Sequence, residues 1–329
     1  MSRSTWRRRP VADRALIDEL HRTLRLPAII APMFLISGPE LVIAAAHAGL
    51  MGAFPAPNAR TIGDLDGWMA RIEDALAPGG RPGAWAINMI VHPTYERFDA
   101  ELDLVCRYRP RIVVTALGSP RRPLERVHAY GGAVFSDVIN PEQARKAVGA
   151  GADGLILVAS GAGGHTGLYS PFAFVDEVRR FWSGPLILGG AVGNARAIHA
   201  VRMLGADLAY MGTRFIAARE SLVSDENREM LVRARMTDIV TTTAVTGIAS
   251  NWMRESLDRA GFTPEMLEAK KRIDFSTLHS DRKAWKTIWG AGHGIGSTRS
   301  VQTVAEIVAE LEADYARLRT ARGMEICDA

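Results

Sequence analysis

The sequence contains few of the residues that characterise disulfide-rich, zinc-binding or nucleic-acid-binding proteins. Only two of its 329 residues are cysteines, and Cys106 and Cys327 stand far apart and form no CxxC pair. This usage indicates neither a disulfide framework nor a zinc site, and it suits a reducing cytoplasm. Aromatic residues make up 7% of the chain, and the lysines and arginines behind its net charge of +4 are dispersed. We therefore expect no nucleic-acid partner.

Long apolar runs are also missing. A membrane-spanning helix needs about 18 consecutive apolar residues, and the longest candidate runs are interrupted by Pro32, Gly38, His47 and Gly49. The arginine-rich start, MSRSTWRRRP, is followed by a charged segment instead of the apolar core of a secretory signal. We interpret it as a solvated arm and expect a soluble, cytoplasmic protein without a membrane partner.

One pattern repeats along the first two thirds of the chain: a short apolar run, a turn, and a segment of helical period. Short apolar runs bounded by glycines are typical of strands buried on both faces of a parallel sheet. Eight short-linked units predict an α/β fold, a closed (β/α)8 TIM barrel, with an open doubly wound sheet as the alternative. The runs are Ala28–Met33, Met51–Phe54, Trp85–Val91, Ile112–Ala116, Ala133–Val138, Leu155–Ala159, Leu186–Leu188 and Leu208–Met211.

Four parts are expected along the chain. Residues 1–25 form an arm and a helix, 26–220 the barrel, 221–300 a smaller and mostly helical accessory region, and 301–329 a helix that packs on the barrel, with a tail. No flexible linker separates them, so the accessory region is predicted to be a lid, not an independent module. In this region Asp238–Val245 could be a strand or an extended loop, and helices are predicted at Leu222–Met236, Trp252–Ala260 and Pro264–Arg272.

The stretch Gly154–Gly167, GLILVASGAGGHTG, contains the strongest candidate for a functional side chain. It places His165 after the sixth predicted strand, at the carboxyl end where barrels and open α/β sheets bind ligands. Gly163 and Gly164 precede it, and glycines let backbone N–H groups approach a planar or anionic ligand. His165 is therefore the candidate catalytic residue, although a histidine bonded to a backbone carbonyl is the structural alternative.

Two further glycine turns follow the seventh and eighth predicted strands. The first contains Gly189 and Gly190, and the second is Met211-Gly212-Thr213. In TIM barrels these two loops commonly bind phosphate through free backbone N–H groups and a helix N-terminus. Either glycine turn alone would be explained by tight chain reversal, but the pair in these two units favours a phosphate site.

The remaining residues at the strand ends suit a flat aromatic cofactor. Ala31, Pro32 and Met33 after the first strand would face one side of the ring, and Asn88 would donate at its polar edge. Asp137 could bond a ring nitrogen or the substrate, or belong to an ion pair inside the barrel. The chain has no lysine at a strand end for a Schiff base and no cysteine in a barrel loop for a thiolate nucleophile.

Five segments resemble the nitronate monooxygenases, formerly called 2-nitropropane dioxygenases. These are FMN-dependent TIM barrels that oxidise alkyl nitronates with O₂ to a carbonyl compound and nitrite, without a metal. Asp238–Gly261 and the loop WGAGHGIGS are also similar to that family. The five segments are LPAIIAPM (Leu26–Met33), AINMIVHPT (Ala86–Thr94), GAGGHTG (Gly161–Gly167), LGGAVGNARAI (Leu188–Ile198) and AYMGTRFIAARES (Ala209–Ser221).

The resemblance implies roles for particular residues. His165 would be the active-site histidine beside the flavin. FMN would contact Asn88, Gly163, Gly190, Met211, Gly212 and Thr213, the last four around its phosphate. The expected partners are FMN, a small-molecule substrate and O₂, with a homodimer as the candidate assembly.

Two positions depart from the family pattern and leave the substrate open. Gly161 stands where relatives often have Glu, and His293 stands where many have Gln. Because related barrels include flavin-dependent enoyl-acyl-carrier-protein and quinone reductases, an NAD(P)H-dependent flavin reductase is the alternative function. A GxGxxG dinucleotide fingerprint between a strand and a helix is missing.

Other histidines and tryptophans are weaker candidates. His92 and His293 could face the mouth with His165, but no ligand spacing supports a metal and none is expected. Trp252, Trp285 and Trp289 could cap the substrate or belong to the core of the accessory region.

Overall fold

The computed structural model of the chain describes residues 14–79, 84–268 and 287–321. Several predictions lie outside these residues: the arginine-rich arm, the end of the helix predicted to reach Arg272, Trp285, and the C-terminal tail with Cys327.

Eight parallel strands form a closed barrel, because β1 pairs with β2 on one side and with β9 on the other. The TIM-barrel prediction is confirmed, and the open doubly wound alternative is wrong. A short strand, β7 (Gly164–His165), follows β6 and belongs to a second sheet. The barrel strands are β1 (Ala28–Ile30), β2 (Met51–Pro55), β3 (Ala86–Ile90), β4 (Ile112–Ala116), β5 (Ala133–Val138), β6 (Gly154–Val158), β8 (Leu186–Gly189) and β9 (Leu208–Met211).

Helices follow the barrel strands, as the repeating pattern predicts. Local signals set several of their starts: the Asn140 and Asn194 side chains accept bonds from the amides of Gln143 and Ala197, and cap α6 and α8. The helices are α1 (Ala15–Thr23), α2 (Pro39–His47), α3 (Ile62–Leu76), α4 (Phe98–Tyr108), α5 (Arg121–Ala129), α6 (Pro141–Ala150), α7 (Pro171–Arg179), α8 (Ala195–Met203), α9 (Thr213–Ile216), α10 (Asp225–Arg233), α11 (Arg254–Arg259), α12 (Pro264–Glu268) and α13 (Val304–Ala321).

The barrel interior changes in character from one end to the other. Alternate residues of each strand point inward, and most of them, such as Ile156, are apolar. At the amino end, Leu16 and Ile17 of α1 pack against this interior cluster and close it. Polar side chains, Asn88 and Asp137, enter at the carboxyl end. The barrel is therefore closed below and polar above, where the predicted site lies.

The accessory region contains a small antiparallel sheet in the order β10 (Ile239–Thr242), β11 (Ser250–Met253) and β7. Of the two alternatives for Asp238–Val245, the strand is correct. The helix predicted from Trp252 is wrong at its start, because Trp252 is a fully buried β11 residue and α11 begins at Arg254. The described accessory region is therefore mostly helical, as expected, with a small sheet added to it. Across the described residues, no helix is long and apolar enough to cross a membrane.

A buried carboxylate ties the amino end of the barrel together. Asp207 is 3% exposed and accepts from Arg14 at 2.7 Å, Arg179 at 2.9 Å and the Leu186 amide at 2.8 Å. It therefore joins the start of β8 and β9 to α7 and to the residue before α1. Removing one partner of a buried ion pair leaves the other charges uncompensated.

We expect Asp207→Ala to lower the free energy of unfolding by about 3 kcal/mol, since two guanidinium groups lose their partner. Asp176→Ala is the matched control, because Asp176 forms an exposed pair with Arg180 and should change stability by less than about 0.5 kcal/mol. Urea denaturation measures both. Equal losses in the two variants would contradict this role for Asp207.

Candidate active site

Three glycine-rich loops meet above the carboxyl end of the barrel. The Gly161 carbonyl accepts from the amide of Ala191 at 3.2 Å and from that of His293 at 2.9 Å. A Cβ added at Gly292 would lie 2.5 Å from the Gly161 oxygen, and one added at Gly190, where φ is +128°, would lie 2.9 Å from the Ser160 oxygen. The loops therefore pack backbone against backbone, and side chains at these two positions would separate them.

The accessory sheet holds the loop that contains His165. β7 pairs with β11, so that His165 lies opposite Ser250 and Gly164 opposite Asn251. The Asn251 side chain is 1% exposed and donates to the Ala162 carbonyl at 2.7 Å. Asn251 was not predicted, because its contact joins residues that are 89 positions apart.

The environment of His165 keeps its imidazole neutral. The residue is exposed, yet nearby protein atoms desolvate its imidazole. This desolvation lowers the pKa of His165 to about 4. A neutral imidazole can donate a hydrogen bond from one ring nitrogen and accept a proton at the other.

Four of the predicted residues form the floor of the cleft. Ala31, Asn88, Asp137 and Gly189 continue the inward-pointing positions of β1, β3, β5 and β8, above the apolar interior. The Asn88 amide donates to the Asp137 carboxyl at 3.5 Å. Two floor positions are therefore small, and two carry hydrogen-bonding groups.

Asp137 is a half-buried acid, and no charge on the described residues compensates its own. Burial raises its pKa to about 7, and its Oδ1 atom is buried with no hydrogen-bond partner in the described part of the chain. An ion pair inside the barrel, one of the two expectations for Asp137, is therefore not formed by the described residues. Burial and the nearby charge of Asp137 raise the pKa of Tyr210 on β9. The buried Tyr210 hydroxyl also has no hydrogen-bond partner among the described residues. Tyr210 was missed by the sequence analysis, because it reads as a core residue of an apolar strand.

The loop after β1 adjoins the loop after β9. The Ala31 amide donates to the Met211 carbonyl at 3.0 Å, and a Cβ added at Gly212 would lie 3.5 Å from the Met33 sulfur. The buried Asn58 side chain donates to the carbonyls of Met33 at 3.0 Å and Ser37 at 2.8 Å. The structure therefore brings Ala31, Met33 and Gly212 together, and Asn58, which was not predicted, holds their loop.

Other predicted residues contribute differently. Thr213 is buried, begins α9, and its hydroxyl accepts from the Gly292 amide at 2.8 Å. The Met211 side chain packs in the apolar cluster outside the barrel and therefore does not face the cleft. Pro32 is half-buried, and Gly163 lies where an added Cβ would meet the Gly292 amide at 2.8 Å. Gly163 thus has a packing reason for being glycine.

Neither His92 nor the described tryptophans extend the site, whereas the His293 ring lies beside Gly161, with its Nδ1 3.1 Å from a Cβ added there. His92 bonds the Thr94 hydroxyl in its own loop at 2.8 Å, and Trp252 is a core residue of the accessory region. Trp289 is half-buried and packs beside a neighbouring apolar cluster. Among the described side chains, no group of three His, Cys, Asp or Glu is placed to hold a metal ion.

Comparisons with known proteins agree with this architecture. The chain is 25% identical to a nitronate monooxygenase of Paraburkholderia phytofirmans, over 88% of this chain and 92% of that protein. It is 27% identical to (3aS,4S,5R,7aS)-5-hydroxy-7a-methyl-1-oxo-octahydro-1H-indene-4-carboxyl-CoA dehydrogenase of Mycobacterium tuberculosis, over 70% of this chain and 64% of that protein. A solved nitroalkane oxidase from Streptomyces ansochromogenes has the same fold, with a TM-score of 0.78 and 24% identity over 92% of this chain and 99% of that one.

The family comparison covers the barrel from β3 onward, the glycine loops and most of α13. The sequence model of nitronate monooxygenase matches residues 81–314, which is more than half of the chain. The protein therefore belongs to the nitronate monooxygenase family.

Proposed function

We propose that this protein is an FMN-dependent nitronate monooxygenase that oxidises alkyl nitronates with O₂ to a carbonyl compound and nitrite. The observation that carries the proposal is the position of His165 on β7, after β6 and above a floor that combines small residues with buried polar atoms that no described residue bonds. Family membership supports the reaction class, and the family is flavin-dependent in general.

The residues of the cleft fit a flavin. Asp137 Oδ1 and the Tyr210 hydroxyl are buried polar atoms that a ligand on the floor could satisfy. Ala31 and Gly189 leave space for a flat ring above them, with Pro32 and Met33 at its side. The backbone of Gly189, Gly190 and Gly212, with the Thr213 hydroxyl, would hold the phosphate, and Gly163 and Gly164 would border the ring near His165.

His165 would act on the substrate. A nitronate carries negative charge on two oxygens, and a donor in a largely desolvated cleft stabilises that charge. The neutral ring can donate its N–H to a nitronate oxygen, or accept the α-proton of a neutral nitroalkane at its other nitrogen. Bound FMN would supply the redox chemistry, with O₂ as the final electron acceptor. A homodimer remains a prediction.

An NAD(P)H-dependent flavin reductase is the second candidate. One relative is named as a dehydrogenase, so similarity to this chain is not confined to monooxygenases. The two functions differ in what reduces the flavin, which is the nitronate in one and a nicotinamide cofactor in the other.

We expect the purified protein to bind FMN and to show flavin absorption. Under anaerobic conditions, ethylnitronate or propionate-3-nitronate should bleach this absorption and O₂ should restore it. NADH, added in a parallel sample, should leave it unchanged. Bleaching by NADH and not by nitronate would favour the reductase, and failure to bind FMN would contradict both functions.

Replacing His165 by Asn should lower nitronate turnover by roughly 10²-fold, in line with the usual contribution of a general acid–base group. FMN should stay bound, since the histidine is assigned to the substrate. His128→Asn is the control, because His128 bonds Asp153 at the protein surface. Oxygen consumption measures turnover, and an unchanged rate in His165→Asn would remove His165 from the mechanism.

The pH dependence of kcat/KM tests the neutral state of His165. This parameter reports the free enzyme, in which the pKa of His165 is about 4. When kcat/KM is calculated for the nitronate anion alone, it should therefore show no rising limb between pH 5 and 8. It should fall only as the pH decreases toward 4, where the His165 ring becomes protonated. A rising limb centred near pH 6.5 that His165→Asn abolishes would show an ordinary solvated histidine instead.

A further inference from the structure

Two buried polar atoms on the cleft floor have no partner within the described residues. They are Oδ1 of Asp137 and the hydroxyl of Tyr210. Tyr210 is 8% exposed and pairs with Gly189 across β8 and β9, where an added Cβ would lie 3.3 Å from the Tyr210 Cβ. Gly189 offers no side chain to bond the Tyr210 oxygen, and no other residue in the described part of the chain bonds it.

Core packing alone does not explain these two groups. Buried polar atoms are nearly always hydrogen-bonded, and leaving one unpaired costs free energy. Phenylalanine in place of Tyr210 would fill the same space without that cost. The pair is therefore best explained by a ligand that binds against the floor, where the residues Ala31 and Gly189 are small.

The surroundings favour the protonated form of the acid. Strand β6 presents the apolar Ile156 opposite Asp137, and on β4 the apolar Val114 pairs with Phe135, the inward residue that precedes Asp137 on β5. β3 presents Asn88, an uncharged donor, and β9 presents Tyr210, whose own pKa burial raises further. No cation of the described residues stabilises the carboxylate, and burial raises the pKa of Asp137 to about 7. A protonated carboxyl has one O–H to donate, and a tyrosine hydroxyl has another.

We propose that the Asp137 carboxyl and the Tyr210 hydroxyl form a pair of hydrogen-bond donors that binds the polar, oxygen-bearing half of the flavin ring from the barrel floor. This inference rests on the proposed FMN site and adds two residues with a defined protonation state to it. The pair donates while Asp137 is protonated. Ionisation of Asp137 turns its donor into an acceptor and puts a negative charge beneath the ring.

If the pair binds FMN, the affinity for FMN should depend on pH through the titration of Asp137. As pH rises through about 7, Asp137 loses its proton and FMN should bind more weakly. Asp137→Asn keeps a donor of the same shape but does not titrate. The ratio of wild-type to variant Kd should therefore be near one at pH 6 and rise roughly tenfold by pH 8.5, the size expected for loss of one buried hydrogen bond. This ratio cancels the titration of the FMN phosphate itself.

Tyr210→Phe removes one oxygen and tests the second donor. Its Kd for FMN should be raised roughly tenfold at both pH values. Tyr130→Phe is the matched control, since Tyr130 bonds the Pro110 carbonyl outside the barrel, and Asp176→Asn controls for net charge. Neither should change the Kd. Quenching of flavin fluorescence, with apoprotein of each variant, measures all five proteins without relying on turnover.

The outcomes separate this pair from the FMN site on which it rests. If Asp137→Asn and Tyr210→Phe both bound FMN with the wild-type Kd and the wild-type pH dependence, the proposed pair would be overturned. The proposed function would remain intact. If Asp137→Asn failed to fold, an unchanged Kd in Tyr210→Phe would overturn it alone. Failure of the wild-type protein to bind FMN would overturn the proposed function and the pair together.

Discussion

The carbonyl oxygen of Gly161 is the point on which the site depends. It accepts two backbone amides from two different loops, those of Ala191 and His293. Each bond contributes about 1 kcal/mol, but their geometric effect is larger, because they fix three loops relative to one another. The late glycine loop can come this close only because Gly292 has no side chain. The strand ends of the barrel form the floor of the cleft, and the two bonds to the Gly161 oxygen position the loops above it.

The cleft divides its functions between backbone and side chains. Glycine backbone forms the upper wall and the region assigned to phosphate, whereas side chains form the floor and hold His165. The side chains that could bear charge there are desolvated, so His165 is neutral and Asp137 titrates only near pH 7. An uncharged cleft is compatible with both a flat aromatic ring and an anionic substrate, since neither meets a fixed negative charge below that pH.

Local sequence was enough to predict the barrel and the strand ends but not the contacts between distant segments. Eight apolar runs with glycine turns predicted the strands, and β4, β5 and β9 have the predicted boundaries. Trp252 was placed in a helix, because pairing of β11 with β7 and β10 depends on residues far away in sequence. For the same reason Asn58 and Asn251 were missed: each acts by bonding the backbone of a remote loop. Tyr210 was missed because one polar atom in an apolar strand carries no local signal.

The most direct test of this account is a crystal structure of the protein with FMN bound. The account predicts the flavin ring above Ala31, Asn88, Asp137 and Gly189, its phosphate against the Gly190 and Gly212 turns, and the His165 imidazole beside the ring. A flavin bound away from the carboxyl end of the barrel, or a side chain filling the floor between Asp137 and Gly189, would contradict it.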